Sequence, residues 1–325
     1  MAQQDLIRRL ADGAFHSGEV LAGELGVSRT AVWKQLAHLE ALGITLESVR
    51  GRGYRIPGGL DLLDPAAVAA ALPAEAAGLL EGLAIVDSVD STNAALLREP
   101  PGPIGRGRVC AAERQVEGRG RRGRSWASPF ARNLYVSVGW TFAQGAAALE
   151  GLSLAVGVAL AEALADLDLA GVFLKWPNDL LAGDAKLGGV LIEMSGDADG
   201  PCRAVVGIGL NVQVPEAAAS TIDQPWTDLA TLAGSTPPSR SLLLAAVLGR
   251  VLPLLGRFGS EGFEPWRARW EALDAFAGEP VQVLSGETRL AGIARGVDER
   301  GALRLETTTG VRPIYGGEVS LRRQS

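Results

Sequence analysis

The apolar pattern of this 325-residue chain changes period twice, so no single helical or sheet architecture can hold all of it. Up to residue 43 the spacing is helical. Leu6, Ile7 and Leu10 form a first stripe, Ser17 is placed to cap a helix running through Leu25, and Gly26 supplies a turn. Ser28 then caps a third helix in which Val32, Leu36 and Leu39 face inward, and Gly43 stops it. Residues 44–49 and 54–56 read as a hairpin around Arg50-Gly51-Arg52-Gly53. Three short helices followed by a basic-tipped hairpin make a winged helix-turn-helix over residues 1–60.

Between Ser28 and Arg55 this unit carries Arg29, Lys34, Arg50, Arg52 and Arg55 against Glu40 and Glu47. The cations sit on the third helix and the hairpin, the two elements that meet DNA in such units, so Ser28, Arg29, Thr30, Lys34 and Arg52 are the candidate DNA contacts. Small winged units also serve as protein-interaction modules, which is the competing reading. One unit makes few contacts, so DNA recognition would need a dimer on a two-fold site.

After Pro57-Gly58-Gly59, residues 61–82 form an Ala/Leu-rich connecting helical segment. Residues 83–273 alternate between the two periods, with strands expected at 84–86, 108–112, 134–140, 172–174, 189–193 and 204–212, and helices near 92–99, 147–167 and 240–258. Residues 274–325 turn to short alternating strands at 281–284, 289–297, 303–307 and 312–315 split by glycines, a small β-barrel. The chain as a whole is α+β. Cys110 and Cys202 make no disulfide framework, Met1–Leu10 carries Asp5, Arg8 and Arg9 where a secretory signal is apolar, and the longest apolar run, residues 152–161, is too short for a bilayer. A cytoplasmic protein with no membrane partner is expected.

Within the middle region, Gly118-Arg119-Gly120-Arg121-Arg122-Gly123-Arg124-Ser125-Trp126 stands out against a net charge of -6. Residues 106–124 hold seven arginines against Glu113 and Glu117. Glycines free backbone N–H groups to wrap an anion, and guanidinium forks match phosphate or carboxylate oxygens. A phosphorylated or carboxylated ligand, a nucleic-acid segment and a solvated loop all fit such a run, but Pro129 and a strand pattern follow, so it is a loop between ordered elements. Gly118, Gly120 and Gly123 satisfy G-x-G-x-x-G, yet no helix follows and no acid appears between Arg124 and Glu150, which excludes the dinucleotide fingerprint. No lysine follows a glycine, so a Walker loop is absent too.

Four more segments look built for a site. Asp90-Ser91-Thr92-Asn93 lies at a strand-to-helix junction, where capping is the ordinary role. Lys175-Trp176-Pro177-Asn178-Asp179 presents a cation, an amide and a carboxylate from a turn stiffened by proline. Lys186 opens a strand, and Gly207-Ile208-Gly209-Leu210-Asn211 runs glycine through one, a sign of close approach by a ligand or another strand. Only Lys34, Lys175 and Lys186 are lysines among 31 basic residues, so lysine survives here against a strong arginine bias.

These motifs together, DSTN (90–93), GRGRRGR-S-W with SPF and NLY (118–135), KWPNDL (175–180), KLGGVLIE (186–193), GIGLNV (207–212) and the closing Gly316-Gly317-Glu318-Val319-Ser320-Leu321, closely resemble the bifunctional biotin protein ligases that double as biotin-operon repressors. The resemblance spans nearly the whole chain. It implies a class II synthetase-like biotin/lipoate ligase catalytic domain in the centre and an SH3-like barrel behind it. A lipoate ligase shares that catalytic fold but not the arginine loop or the N-terminal unit. The implied reaction joins biotin and ATP into biotinyl-5′-AMP and pyrophosphate, then transfers biotin to a lysine of biotin carboxyl carrier protein. Lys186, Arg121 and Asp179 would be catalytic. Ser91, Thr92, Asn93, Gln115, Arg119, Gly120, Arg121 and Lys186 would bind biotin, while Arg121, Arg122, Trp126, Asn178 and Asn211 would bind ATP. Asp179 has three open roles: orienting Lys186, orienting the acceptor lysine, or helping hold metal. Mg²⁺ would arrive with the nucleotide and not on a dedicated protein site. Further partners implied are operator DNA of biotin genes and a second copy of the chain, in a homodimer formed on binding biotinyl-AMP. A ligase with a vestigial DNA-binding unit and a non-catalytic biotin sensor are the alternatives. Val116, Glu117 and Ser125 depart from the residues common in the family.

Overall fold

Two serines start the helices of the N-terminal unit. The Ser17 hydroxyl accepts from the Val20 amide at the head of α2 (Gly18–Glu24), and that of Ser28 from the Ala31 amide at the head of α3 (Arg29–Ala41). With α1 (Ala2–Leu10) and the hairpin β1 (Glu47–Val49) and β2 (Gly53–Arg55), these form the expected winged helix-turn-helix. The computed structural model describes residues 2–196, 200–317 and 319–323, so Glu318 of the closing motif, residue 1 and residues 324–325 lie outside the described residues. Leu6, Leu10, Leu21, Val32, Leu36, Leu39 and Ile56 make the core of the unit. Phe130 and Ala131 of the central domain join that same cluster.

The connecting segment is helical as expected, with α4 (Pro65–Ala71) and α5 (Ala74–Leu79), but it does not run to residue 82. Residues 80–82 already belong to β3 (Leu80–Val86). Asp61 is tied down by Arg240, the first residue of a long helix further along the chain: its guanidinium donates to the Asp61 carbonyl at 2.7 Å, to that of Asn133 at 3.0 Å and to the Glu113 carboxylate at 2.6 Å. Arg240 and Glu113 are both buried, and Glu113 also accepts from the Leu63 amide. These bonds offset much of the cost of burying the pair, although Arg240 Nη2 is itself buried with no hydrogen-bond partner among the described residues.

The central sheet follows as β4 (Gly107–Ala112), β5 (Leu134–Phe142), β6 (Val172–Lys175), β7 (Asp179–Ala182), β8 (Ala185–Gly196) and β9 (Cys202–Leu210). With β3 they form a seven-stranded sheet in the order β3-β4-β5-β9-β8-β7-β6, antiparallel except for the β3–β4 pair. One face is apolar. Val136, Val138 and Trp140 of β5 and Ala204, Val206 and Ile208 of β9 pack there against α7 (Leu152–Ala165) and α10 (Arg240–Glu261), with α8 (Glu216–Ala219), α9 (Leu229–Ala233) and α11 (Glu264–Ala272) completing the helices. The opposite face carries the alternate residues, Ser137 and Gly139 on β5 and Gly207 and Gly209 on β9, and holds α6 (Thr92–Arg98).

The expected helix at 147–167 breaks in two, because Gly151 adopts φ +77 and restarts the chain as α7. By length and composition residues 146–165 and α10 could cross a membrane, contrary to the reading from the longest apolar run; 67% and 61% of their most apolar windows are buried in the core. The C-terminal part is a five-stranded antiparallel sheet of β10 (Pro280–Ser285), β11 (Thr288–Val297), β12 (Leu303–Thr307), β13 (Gly310–Ile314) and β14 (Val319–Arg323), in the order β13-β12-β11-β10-β14. Its Val281, Val297 and Leu303 share one apolar cluster with the α7 layer.

Candidate active site

Gly207 and Gly209 open the polar face of the sheet for a cavity of about 560 Å³. A Cβ at Gly209 would stand 2.7 Å from the indole of Trp126, and one at Gly207 would stand 2.3 Å from Asn93 Oδ1. The glycines therefore admit two side chains of this protein, which places Trp126 and Asn93 directly on the strand. All the residues singled out for biotin or ATP line this one cavity: Ser91, Thr92, Asn93, Gln115, Arg119, Gly120, Arg121, Arg122, Trp126, Asn178, Asp179, Lys186 and Asn211. Lys175 and residues 319–321, named from the sequence within motifs but without a ligand role, line it as well, and so do residues 221–224 and Trp226, which the sequence reading missed.

At one end a hydrogen-bond chain fixes the head of α6. Gln115 Oε1 accepts from the Thr92 amide at 2.9 Å and the Thr92 hydroxyl at 3.1 Å. The Ser137 hydroxyl donates to Asn93 Oδ1 at 2.6 Å and lies 2.7 Å from Thr92 Oγ1. Asn93 Nδ2 in turn donates to Glu193 at 2.7 Å and to the Leu191 carbonyl at 3.3 Å. Asn93 thus braces α6 against β5 and β8. Ser91 is buried at the N-cap position without capping through its side chain, so its role is not the ordinary one for that position. Arg98 binds Asp90 through both nitrogens, and this holds the Asp90 carboxyl well below the usual carboxylate range.

At the other end the KWPND segment is the turn between β6 and β7. Asp179 pairs with Lys186 at 2.6 Å and with Lys175 at 3.6 Å, and Lys186 Nζ lies 5.5 Å from the centre of the Trp126 ring. Burial pulls the Lys175 ammonium below the usual lysine range, while Asp179 raises it and the Lys186 charge lowers it further. Trp176 is buried and donates to the Gly301 carbonyl at 3.1 Å, which anchors the turn to the C-terminal domain. Asn211 is likewise a brace, its amide donating to the Thr227 carbonyl at 3.0 Å.

The arginine loop arches over the cavity. Its arms pair through Arg119 and Ser125, the Gly120 amide donates to the Arg124 carbonyl at 2.7 Å, and Arg121–Gly123 make a single 3-10 turn at the tip. Arg119, Arg122 and Arg124 are exposed, whereas Arg121 is half-buried. The Arg121 guanidinium donates to Asn178 Oδ1 at 3.0 Å, to the Val319 carbonyl at 3.4 Å and to the Gly317 carbonyl. At the base of the loop Trp126 Nε1 is buried and has no hydrogen-bond partner among the described residues.

On the N-terminal unit a groove between α3 and the hairpin is lined by Arg29, Thr30, Trp33, Ser48 and Arg50. Arg52, singled out from the sequence, stacks on Phe15 at 4.1 Å and does not line this groove, nor does Lys34, which stays exposed on α3. Ser28 spends its hydroxyl on the helix cap.

The Biotin/lipoate A/B protein ligase family matches residues 85–211, an HTH domain family matches residues 2–55, and the Biotin protein ligase C terminal domain matches residues 276–322. A biotin/lipoate-type ligase body joined to a helix-turn-helix is the class that fold and cavity define. The chain is 41% identical to the bifunctional ligase/repressor BirA of Salmonella typhimurium over 98% of its length and 96% of that protein. It is 40% identical to that of Escherichia coli over 98% and 96%. The biotin protein ligase of Aquifex aeolicus, solved in complex with biotin and ATP, superposes with a TM-score of 0.63 at 32% identity, covering 75% of this chain and 100% of that one. The chain belongs to the family of bifunctional biotin ligase/repressors.

Proposed function

We propose that this protein is a cytoplasmic ATP-dependent biotin protein ligase that also represses biotin genes when biotinyl-AMP is bound. The observation that carries the ligase reading is the Lys186–Asp179 pair beneath Trp126, with the arginine loop across the same cavity. Bringing a carboxylate to a triphosphate opposes like charges, and pre-placed cations remove that barrier without reorganising. Lys186, a compact ammonium, meets the biotin carboxylate as one of its oxygens attacks the α-phosphorus and follows the charge onto the phosphate as pyrophosphate leaves. Arg119 and Arg121 hold the carboxyl and phosphate oxygens, and Trp126 and Asn178 receive the nucleotide.

In the second step the amine of a carrier-domain lysine attacks the carbonyl carbon of the mixed anhydride, the amide forms, and AMP departs. Asp179 is the carboxylate placed to orient the acceptor lysine once Lys186 has turned to the phosphate; the neutral amine of that lysine is the attacking species, and the proton it sheds as the amide forms passes to solvent. The carboxylates lining the cavity are Asp179, engaged by two lysines, and Asp223. These residues do not compose a protein-built Mg²⁺ site; the ion would come with the nucleotide, and no step here is routed through it.

Repression follows from linkage. Biotinyl-AMP orders the arginine loop, favours a homodimer through the central sheets, and two winged units then span an operator. The test of the ligase is incubation with biotin, ATP and a biotin carboxyl carrier domain. Biotinylated carrier is expected, and its absence refutes catalysis. A gel shift on DNA upstream of biotin genes that requires biotinyl-AMP is the expected sign of repression; no shift in either condition leaves a ligase alone.

A further inference from the structure

Trp33 is the most exposed large apolar side chain among the described residues, with 62% of its surface open to solvent. Nothing in the N-terminal unit needs it there. Val32, Leu36 and Leu39 supply the core contacts of α3, and Trp33 points away from them into the groove with the hairpin. Arg29 stands four residues earlier on the same helical face, Thr30 and Lys34 flank it, and Arg50 closes the groove from the hairpin. Glu19 also lines the groove, so its charge is not purely positive. A large indole with Arg29 and Arg50 beside it in the groove, and Lys34 exposed next along α3 outside it, is a mixed surface, apolar at the centre and cationic at the rim.

That mixture suits one partner. Phosphates satisfy Arg29, Lys34 and Arg50 but leave an indole with nothing apolar to cover it. The apolar group that double-stranded DNA presents at the depth of a recognition helix is the C5 methyl of thymine in the major groove. Resting on the repressor reading, we propose that Trp33 is a specificity-determining residue that packs on the methyl group of one thymine in each operator half-site. The surrounding cations position the helix on the backbone, and Trp33 reads a base.

The test is selection from a randomised duplex pool by the full-length protein with biotinyl-AMP, run in parallel for the wild type, W33A and W33F. The wild type should enrich a two-fold site with thymine at one fixed position per half-site, W33F should keep that preference, and W33A should lose it while keeping the rest of the site. Replacing that thymine by deoxyuridine, which removes only the methyl, should weaken wild-type binding about tenfold, a typical single-position cost, and leave W33A binding unchanged. Equal enrichment by wild type and W33A, or indifference of the wild type to deoxyuridine, overturns the proposal. Enrichment of no sequence by the wild type overturns the repressor reading itself and the role of Trp33 with it. An unchanged melting temperature of W33A, expected for so exposed a position, assigns its altered selection to recognition and not to unfolding.

Discussion

Lys186 Nζ lies 2.6 Å from Asp179 Oδ1, and the second oxygen of that carboxylate faces Lys175 at 3.6 Å. One acid therefore serves two lysines with different tasks. Lys186 reaches the cavity under Trp126, while Lys175 is held below the usual lysine range mainly by burial and is raised by Asp179. Asp179→Asn should reduce adenylate formation by about 10²-fold, the size expected when one pre-placed electrostatic partner is lost. Because the variant also lowers Lys175 further, the alkaline limb of the rate should move to lower pH. Pyrophosphate release followed across pH checks both; a slower enzyme with an unmoved limb would mean that Asp179 acts on Lys186 alone.

Arg121 joins the loop to Asn178, to the Val319 carbonyl of the final strand and to the Gly317 carbonyl just before it. Charge-assisted bonds of this kind are worth about 1.5–3 kcal/mol each, so Arg121→Gly should let the reactive adenylate escape. Mass spectrometry of a bystander protein incubated with the variant, biotin and ATP should find biotin on many lysines. Labelling confined to the carrier lysine at full activity counts against this role.

Ser137 sits in the middle of β5 and supplies the donor that Asn93 Oδ1 uses. Removing it in Ser137→Ala costs about one net hydrogen bond, on the order of 1 kcal/mol. The head of α6 loosens, and biotin affinity should fall about five- to tenfold with ATP affinity unchanged. Calorimetric titration of each ligand separately distinguishes this from a general loss of structure, which would weaken both.

Asp274, where the last helix of the central body meets the C-terminal sheet, is pushed up from 3.8 to about 6 by burial, against the hydrogen bond from the Phe276 amide. Its Oδ2 is buried without a partner among the described residues. Between those two values the folded chain holds a proton that the unfolded chain has released, so stability from this group falls as pH rises through the window and the penalty is complete above pH 6. Asp274→Asn should therefore stabilise the protein by about 2 kcal/mol near neutral pH, a two-unit shift being the upper bound, and by much less near pH 4. Thermal melts at the two pH values measure the difference. Equal shifts at both would place the gain in packing, not in ionisation.

Much of this was written into local pattern. The serine caps, the helical stripe of the N-terminal unit and the alternation of the last four expected strands became α2, α3, the hairpin and β10–β13. The arginine-glycine run was a loop between ordered elements, and the residues expected around it converge on one cavity. Ser137 and Glu193 gave no sign of their importance. Every residue of β5 is buried, so a serine there carries no periodic signal, and Glu193 looks like any polar residue near a strand end. The hairpin strand β7 was hidden because the tight turn after Trp176-Pro177 leaves too few residues for alternation to register.

Sequence by itself determined which elements form and which chemical groups are available, because backbone period and side-chain chemistry are local properties. Tertiary structure decided the pairings. Asp179 meets Lys175 across the β6–β7 turn and Lys186 because β8 lies on the other side of β7, and Asn93 meets Glu193 and Ser137 only because the strand order runs β5-β9-β8. Arg121 reaches the Gly317 carbonyl, nearly two hundred residues away, because the C-terminal sheet packs on the α7 layer and so brings its final strand to the rim of the cavity. For the Asn93 and Arg121 contacts such distances are set by how buried faces stack, and no short window of the chain contains both partners.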